Sequence, residues 1–363
     1  MVNHKTWMAV LVLPLVILVT GLGCTRGNRQ VLEHAAPESV GFSSQMLAGL
    51  PGYLEKAGSS ALLVVVKGKV IFEWGAVDRK HIIHSIRKAL LNSLYGIKAA
   101  EGVIDLNATL KDLRIDDSPP LGQGEKRARI VDLLKSRSGV YHPAAGVSPS
   151  MLAGMPERGA HAPGEHFYYN NWDFNTLGYI LEQKTSESLY TLFEKEIARP
   201  LGMTAYKGSY VEVDGEAGDG KIPDTDGFYQ FEKSKSRYPA YHFRMTARDL
   251  ARYGLLYLNR GVWKGQRIIP EAWIARSTTP YSVMDEKIGL HYGMLWYVLD
   301  SSRVNWGRAF LHTGMGIHLL AVFPDRKMVV VHRVDTENPH RFTNKSLFMI
   351  LAMVHGAAEK PGR

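Results

Sequence analysis

Ser85 and Lys88 stand three residues apart in the stretch HSIRKALLNSLYG, His84 to Gly96. On a helix that spacing places both side chains on one face, while Ile86, Leu90, Leu94 and Ile97 recur at helical spacing on another. A hydroxyl and an amine presented together suit nucleophilic catalysis, because an amine can replace the histidine of a triad as the group that takes the serine proton. A capping serine followed by a solvated lysine has the same spelling. The pair alone does not decide between them.

Two further clusters carry chemistry. In APGEHFYYNNWDFNTLGYILEQ, Tyr169 and Asn171 stand just before a helical pattern. A tyrosine beside a lysine ammonium would have its phenolate favoured, making it a candidate base; the Asn171 amide could orient Lys88 and a substrate carbonyl. In FLHTGMG, His312, Thr313 and Gly314 fall on a strand pattern, where glycine permits close backbone approach to a ligand. The aromatic residues near these motifs, Phe167, Tyr168, Trp172 and Tyr241, read either as a pocket for a bulky apolar group or as core. There is no GxSxG elbow, no HExxH and no phosphate loop. The histidines are not at metal-ligand spacing, so neither metal nor cofactor is expected.

The elements that must position these residues can be read around them. A chain of 363 residues with 45% hydrophobic and 22% charged residues can bury a sizeable core. Its net charge of +9 is spread over short segments and forms no basic arm, so no nucleic-acid partner is expected. ALLVVVKGKVIFEWG reads as a hairpin. Strand patterns return in YGMLWYV, HLLAVFPD and MVVVHRV, and a last helix is expected over Asn344 to Ala357. Gln45 to Lys56 reads as a helix, and from Ser85 to about Arg276 the pattern is mostly helical with Gly/Pro-rich loops. The expected fold is therefore α/β of the α+β kind: one antiparallel sheet built from both termini and flanked by helices, with a mainly helical region, about 85–276, inserted.

The N-terminus differs from the rest. A polar start with Lys5, an apolar run from Met8 to Val19 and the chain's single cysteine, Cys24, read as an export signal over 1–24. Residues 25–40 read as a polar tether, and 41–358 as the catalytic domain. One cysteine allows no intrachain disulfide.

Taken in order, SxxK (Ser85, Lys88), YxN (Tyr169, Asn171) and HTG (His312, Thr313, Gly314) resemble the motifs of the serine β-lactamase and penicillin-recognising hydrolase superfamily. The similarity is to its class C-like branch of DD-peptidases, esterases and oligoamide hydrolases. The stretches PESVGFSS, SRSGVYH, PGEHFYYNN, ARPLGMT and MTARDLARYGLLYLNRG resemble the same family, from about Pro37 to the C-terminal helix. The resemblance implies a β-lactamase/transpeptidase-like fold and an acyl-enzyme on Ser85, with Lys88 or Tyr169 as base and the backbone N–H groups of Ser85 and Met315 as oxyanion donors. It departs at His312, where lactamases carry lysine. A histidine is largely neutral at pH 7 and titrates near about 6.5, so the expectation is hydrolysis of a small-molecule or peptide ester or amide. The alternatives are a class C-like β-lactamase or DD-carboxypeptidase, and a non-catalytic binding protein of the envelope. The leader resembles a bacterial lipoprotein signal, with Gly21 where such signals usually have leucine. It implies export to the cell envelope and membrane association through a lipidated Cys24.

Overall fold

The computed structural model describes Met1 and residues 32–359, apart from 218–219, 301–304 and 316. The chain divides into Met1–Gln30 and Val31–Arg363. The expected signal with Cys24, and residues 25–31 of the expected tether, lie outside the described residues apart from Met1.

The N-terminal hairpin consists of β1 (Ala61–Val66) and β2 (Lys69–Gly75), followed by a short β3 (His81–Ile82). The inserted region carries β4 (Tyr210–Asp214), β5 (Gly227–Phe231), β6 (Ala240–Met245) and the small hairpin β7 (Val262–Trp263) and β8 (Gln266–Arg267). The C-terminal part supplies β9 (Ser282–Asp285), β10 (Leu290–Tyr292), β11 (Tyr297–Leu299), β12 (Ala309–Gly314), β13 (His318–Phe323) and β14 (Met328–Arg333). Eight of these form one sheet in the order β2-β1-β14-β13-β12-β11-β10-β9. Every neighbour in it is antiparallel. The sheet is thus built from both ends of the chain, as the sequence implies.

Its centre is buried on both faces, which is why β1, β13 and β14 are nearly continuous apolar runs rather than alternating ones. Side chains still alternate in direction. Leu63, Val65, Leu320, Val322, Val329 and Val331 enter one core with the Arg87–Ala100, Asn171–Thr185 and Ala247–Leu258 helices. Leu62, Val64, Leu319, Ala321, Met328 and Val330 enter the other, with the Leu50–Ala57 and Asn344–Gly356 helices. Each of the leucine, valine and methionine side chains contributes about 1.5–3 kcal/mol on burial, and the stiff platform this makes carries β12 to the site.

Several expectations need correction. The inserted region is mainly helical as expected, but its β4, β5 and β6 also join β3, just ahead of it, in a second, four-stranded sheet that the sequence pattern does not show. Its β4–β5 pair is parallel and joined across the Gly/Asp-rich stretch VDGEAGDGKIPDTDG, so no hairpin spacing marks it. YGMLWYV is not one strand. Gly293 donates to the Trp296 carbonyl at 2.8 Å and Leu295 takes a positive φ of 59°, so the run turns back between β10 and β11. The helix expected over Gln45 to Lys56 is two pieces, Ser44–Leu47 and Leu50–Ala57. The tether does not extend to residue 40. Ala35 donates to the Val70 carbonyl at 3.0 Å, Val70 donates to Glu33 at 2.8 Å and Leu32 is buried, so the described part of that segment is folded against β2.

Candidate active site

Ser85 lies in a 3-10 turn, His84–Ile86, that runs directly into the Arg87–Ala100 helix. The turn is fixed from several sides. Arg333, fully buried, donates through Nη2 to the carbonyls of His81 and Ile82 at 2.9 and 3.1 Å. The Ile83 N–H reaches Phe243 O at 2.9 Å. His84 holds a positive φ of 47°, a conformation non-glycine residues rarely keep without support. Its Nε2 meets Thr336 Oγ1 at 2.9 Å, and the same hydroxyl meets His318 Nε2 at 3.1 Å. One threonine therefore ties the His84–Ile86 turn to β13, whose His318 is the register partner of Gly314.

Gly314 explains why the third motif ends in glycine. A Cβ there would stand 2.6 Å from the Ile83 carbonyl oxygen and 3.2 Å from the His84 Cβ. A Gly314→Ala substitution is expected to push the His84–Ser85 turn away and to lower kcat/KM by about 10²-fold, the scale of a misplaced catalytic group. Steady-state kinetics alongside a thermal melt checks this; wild-type turnover in the variant would show that the close packing is unimportant.

Lys88 Nζ is 3.0 Å from Ser85 Oγ, as the shared helical face predicts. The lysine is not the solvated one of the bland reading: it is only 1% exposed. Its amine lies over the rings of Tyr169 and Phe174, 4.9 and 4.6 Å from their centroids. Burial, reinforced by the neighbouring Arg87 guanidinium, holds its pKa well below the usual lysine value. The amine donates to the hydroxyl in the structure, and a lowered pKa makes the unprotonated form, which can accept the serine proton, easier to reach.

Tyr169 is brought to the same place by the loop that carries SRSGVYH. Ser136 Oγ donates to Tyr168 O at 2.6 Å and accepts from Asn170 N at 3.0 Å. Asn170 Nδ2 reaches Val140 O at 2.7 Å, and Ser138 Oγ donates to buried Asp173 at 2.5 Å. The Tyr169 hydroxyl is buried. Burial raises its pKa above the usual value, and the hydroxyls of Ser85 and Tyr297 offset only part of that. Burial thus works against the phenolate expected at Tyr169, as it works against the ammonium of Lys88.

The remaining expected site residues divide. His312 and Gly314 are buried on β12, with Thr313 partly exposed; His312 stacks on Tyr297 with centroids 4.4 Å apart. Its Nδ1 donates to Thr313 O at 3.0 Å. Burial, with Lys88 next in effect, lowers the His312 pKa to about 3. It is neutral throughout the physiological range, and the expected titration near 6.5 is overturned. Met315 follows β12 with its side chain 68% exposed. Asn171 opens the Asn171–Thr185 helix, but its Nδ2 donates to Gly146 O at 2.7 Å rather than orienting Lys88. Trp172 and Tyr241 are not pocket walls. Trp172 is fully buried with Nε1 on Asp117 at 2.8 Å, and Tyr241 is 1% exposed in the same core. The bulky-group pocket read from them is withdrawn. No spacing in the sequence links His84, His318 and Thr336, which meet only in the fold, or Tyr297 with His312 and Tyr169.

The profile of the Beta-lactamase family matches residues 52–350. The chain belongs to the beta-lactamase family. Among its relatives, a "Putative D-alanyl-D-alanine carboxypeptidase" of Salmonella paratyphi A is 25% identical over 232 residues, covering 52% of this chain and 53% of the relative. This chain thus spans about half the length of that relative. A "Putative 6-aminohexanoate-dimer hydrolase from Bacillus anthracis" superposes with a TM-score of 0.63 at 20% identity, covering 90% of this chain and 86% of the other. A class C beta-lactamase gives 0.63 at 15% identity, covering 91% and 100%. At these identities the superpositions show the fold, a mixed α/β architecture with an antiparallel sheet and helices on both faces, and agree with the β-lactamase/transpeptidase-like expectation.

Proposed function

We propose that this beta-lactamase-family chain is a serine hydrolase that cleaves an ester or amide bond through an acyl-Ser85 intermediate. The observation that carries the reading is the 3.0 Å contact between Ser85 Oγ and the buried amine of Lys88. As Ser85 Oγ attacks the substrate carbonyl carbon, its proton passes to Lys88 Nζ. The carbonyl oxygen becomes an oxyanion, for which the family resemblance offers the backbone N–H groups of Ser85 and Met315. Collapse of the tetrahedral intermediate breaks the bond to the leaving oxygen or nitrogen. Tyr169, kept protonated by burial, supplies the proton to that leaving group and recovers one from Lys88. Water then repeats the sequence on the acyl carbon and releases the acid and free Ser85.

The neutral, buried His312 supports a substrate without a required carboxylate, because no fixed cation stands at that position. The relatives' names support a second reading, D-alanyl peptide or β-lactam cleavage. A hydrolysis screen over neutral p-nitrophenyl esters, a chromogenic cephalosporin and D-Ala-D-Ala peptides separates them. Turnover of esters above the other two is expected; no turnover together with no phosphonate labelling of Ser85 would leave the non-catalytic reading standing.

The leader supports export to the envelope and attachment through Cys24, since stable anchoring of a lipidated chain takes more than one acyl group. Cys24→Ser is expected to move the protein from the membrane fraction to a soluble or unprocessed form. Fractionation of cells expressing the two forms checks this, and an unchanged distribution would count against lipidation.

A further inference from the structure

We propose that Tyr297 is a specificity-determining residue: its ring receives the leaving side of the substrate and selects an ester or amide whose departing alcohol or amine carries an aromatic or bulky apolar group. The inference rests on the reading of Tyr169 as the proton donor to that leaving group. Three partly exposed rings, Phe167, Tyr169 and Tyr297, gather round one fully buried ring, Tyr292, with centroids 5.1, 5.9 and 6.0 Å from it. Tyr169 joins this group to the reaction centre, because its ring lies 4.9 Å from Lys88 Nζ and that amine is 3.0 Å from Ser85 Oγ. Tyr297 joins it to β12: its ring is 6.1 Å from Tyr169 and stacks on His312 at 4.4 Å. Tyr297 thus neighbours two of the three motifs while belonging to none.

The ring is held before any ligand arrives. β11 pairs with β10, where Tyr297 faces Tyr292, and with β12, where it faces Leu311, so binding against it costs little ordering. A scattered exposed ring needs no explanation, whereas this one borders the groups that carry the reaction. Its apolar surface is covered, and water displaced from it, when a substrate group of the same character lies on it. Tyr169 hands its proton to the departing oxygen or nitrogen, so the partly exposed ring stacked between Tyr169 and β12 meets the leaving side of the scissile bond. His312 beneath Tyr297 is neutral, and it supplies no fixed cation for a leaving group that carries a carboxylate.

The test compares kcat/KM for benzyl acetate and ethyl acetate, which share an acyl group and release alcohols of similar acidity, and for ethyl phenylacetate, which moves the ring to the acyl side. The wild type is expected to prefer benzyl acetate to ethyl acetate by about tenfold or more, the scale on which apolar contacts discriminate. Its preference for ethyl phenylacetate over ethyl acetate should be smaller. Tyr297→Ala should lower the benzyl-to-ethyl ratio about tenfold, and Tyr297→Phe, which keeps the ring, should leave it near the wild-type value. A ratio taken within one variant cancels any general loss of activity from a shifted His312. Equal falls in all three rates, with the ratio unmoved, would make Tyr297 a structural residue and overturn the proposal while leaving the proposed function intact. A wild-type ratio near one would overturn it without any variant, which decides the matter if Tyr297→Ala does not fold. A change confined to ethyl phenylacetate would overturn the assignment to the leaving side. Absence of both ester turnover and Ser85 labelling by a phosphonate in the wild type would overturn the proposed function as well.

Discussion

Ser85→Ala is expected to lower ester hydrolysis by at least about 10⁴-fold while the protein stays folded. Losing the nucleophile removes the covalent route altogether, and in serine hydrolases that loss approaches the loss of the whole catalytic group set. The fold has little stake in this hydroxyl. Ser85 is partly exposed at a turn, and the turn is held by Arg333, Thr336 and the Ile83 N–H rather than by the serine side chain. The one bond given up is to Lys88, and leaving a buried amine without its partner costs about 1–3 kcal/mol. A modest fall in melting temperature with a near-complete loss of turnover is therefore the expected pair of results. Intact-mass analysis after phosphonate treatment supplies the second readout: the wild type gains the label on Ser85 and the variant gains none. Labelling of another serine in both forms would remove Ser85 from its assigned place.

The meeting of Ser85 and Lys88 was legible from local geometry alone, because i and i+3 on a helix share a face whatever the fold. The sequence also showed the long central strands, since an apolar run such as ALLVVV has few other places to go. It did not show the protonation states. The phenolate expected at Tyr169 assumed an ammonium beside it, and the near-neutral titration expected at His312 assumed solvent. Both readings miss burial, which opposes the charged form of each group: His312 is fully buried on β12, and the Arg87–Ala100 helix is buried from Arg87 through Lys98, not along a single stripe. Ile86, Leu90, Leu94 and Ile97 mark one buried face, but Arg87, Asn92 and Lys98 are buried too and carry no apolar signal. For the same reason Trp172 and Tyr241 looked like pocket walls: an aromatic residue near a motif is spelled alike whether it faces a ligand or the core. The Asn171 amide is diverted by a Gly146 carbonyl 25 residues away in sequence, a contact that no local pattern encodes.

Lys88→Met is the second substitution with a large expected effect, and it separates the base from the rest of the site. Methionine is unbranched and adaptable, so it can fill the same slot between the Tyr169 and Phe174 rings without the desolvation that penalises the amine's charged form. Stability should be unchanged or higher. Activity should fall by about 10²–10⁴-fold, the usual worth of general base catalysis. The pH dependence makes the assignment specific. In the wild type the acid limb of kcat/KM follows Lys88, whose pKa lies well below its usual value of 10.5; activity is lost as pH falls through that value and the amine takes up a proton. In Lys88→Met that limb should disappear, leaving a low rate with no inflection at the wild-type midpoint. Were Tyr169 the base instead, activity would rise only as its phenol ionises, above its usual pKa of 10.0, because burial raises it. A wild-type limb centred above about pH 10, persisting in Lys88→Met, would therefore transfer the role from the lysine to the tyrosine.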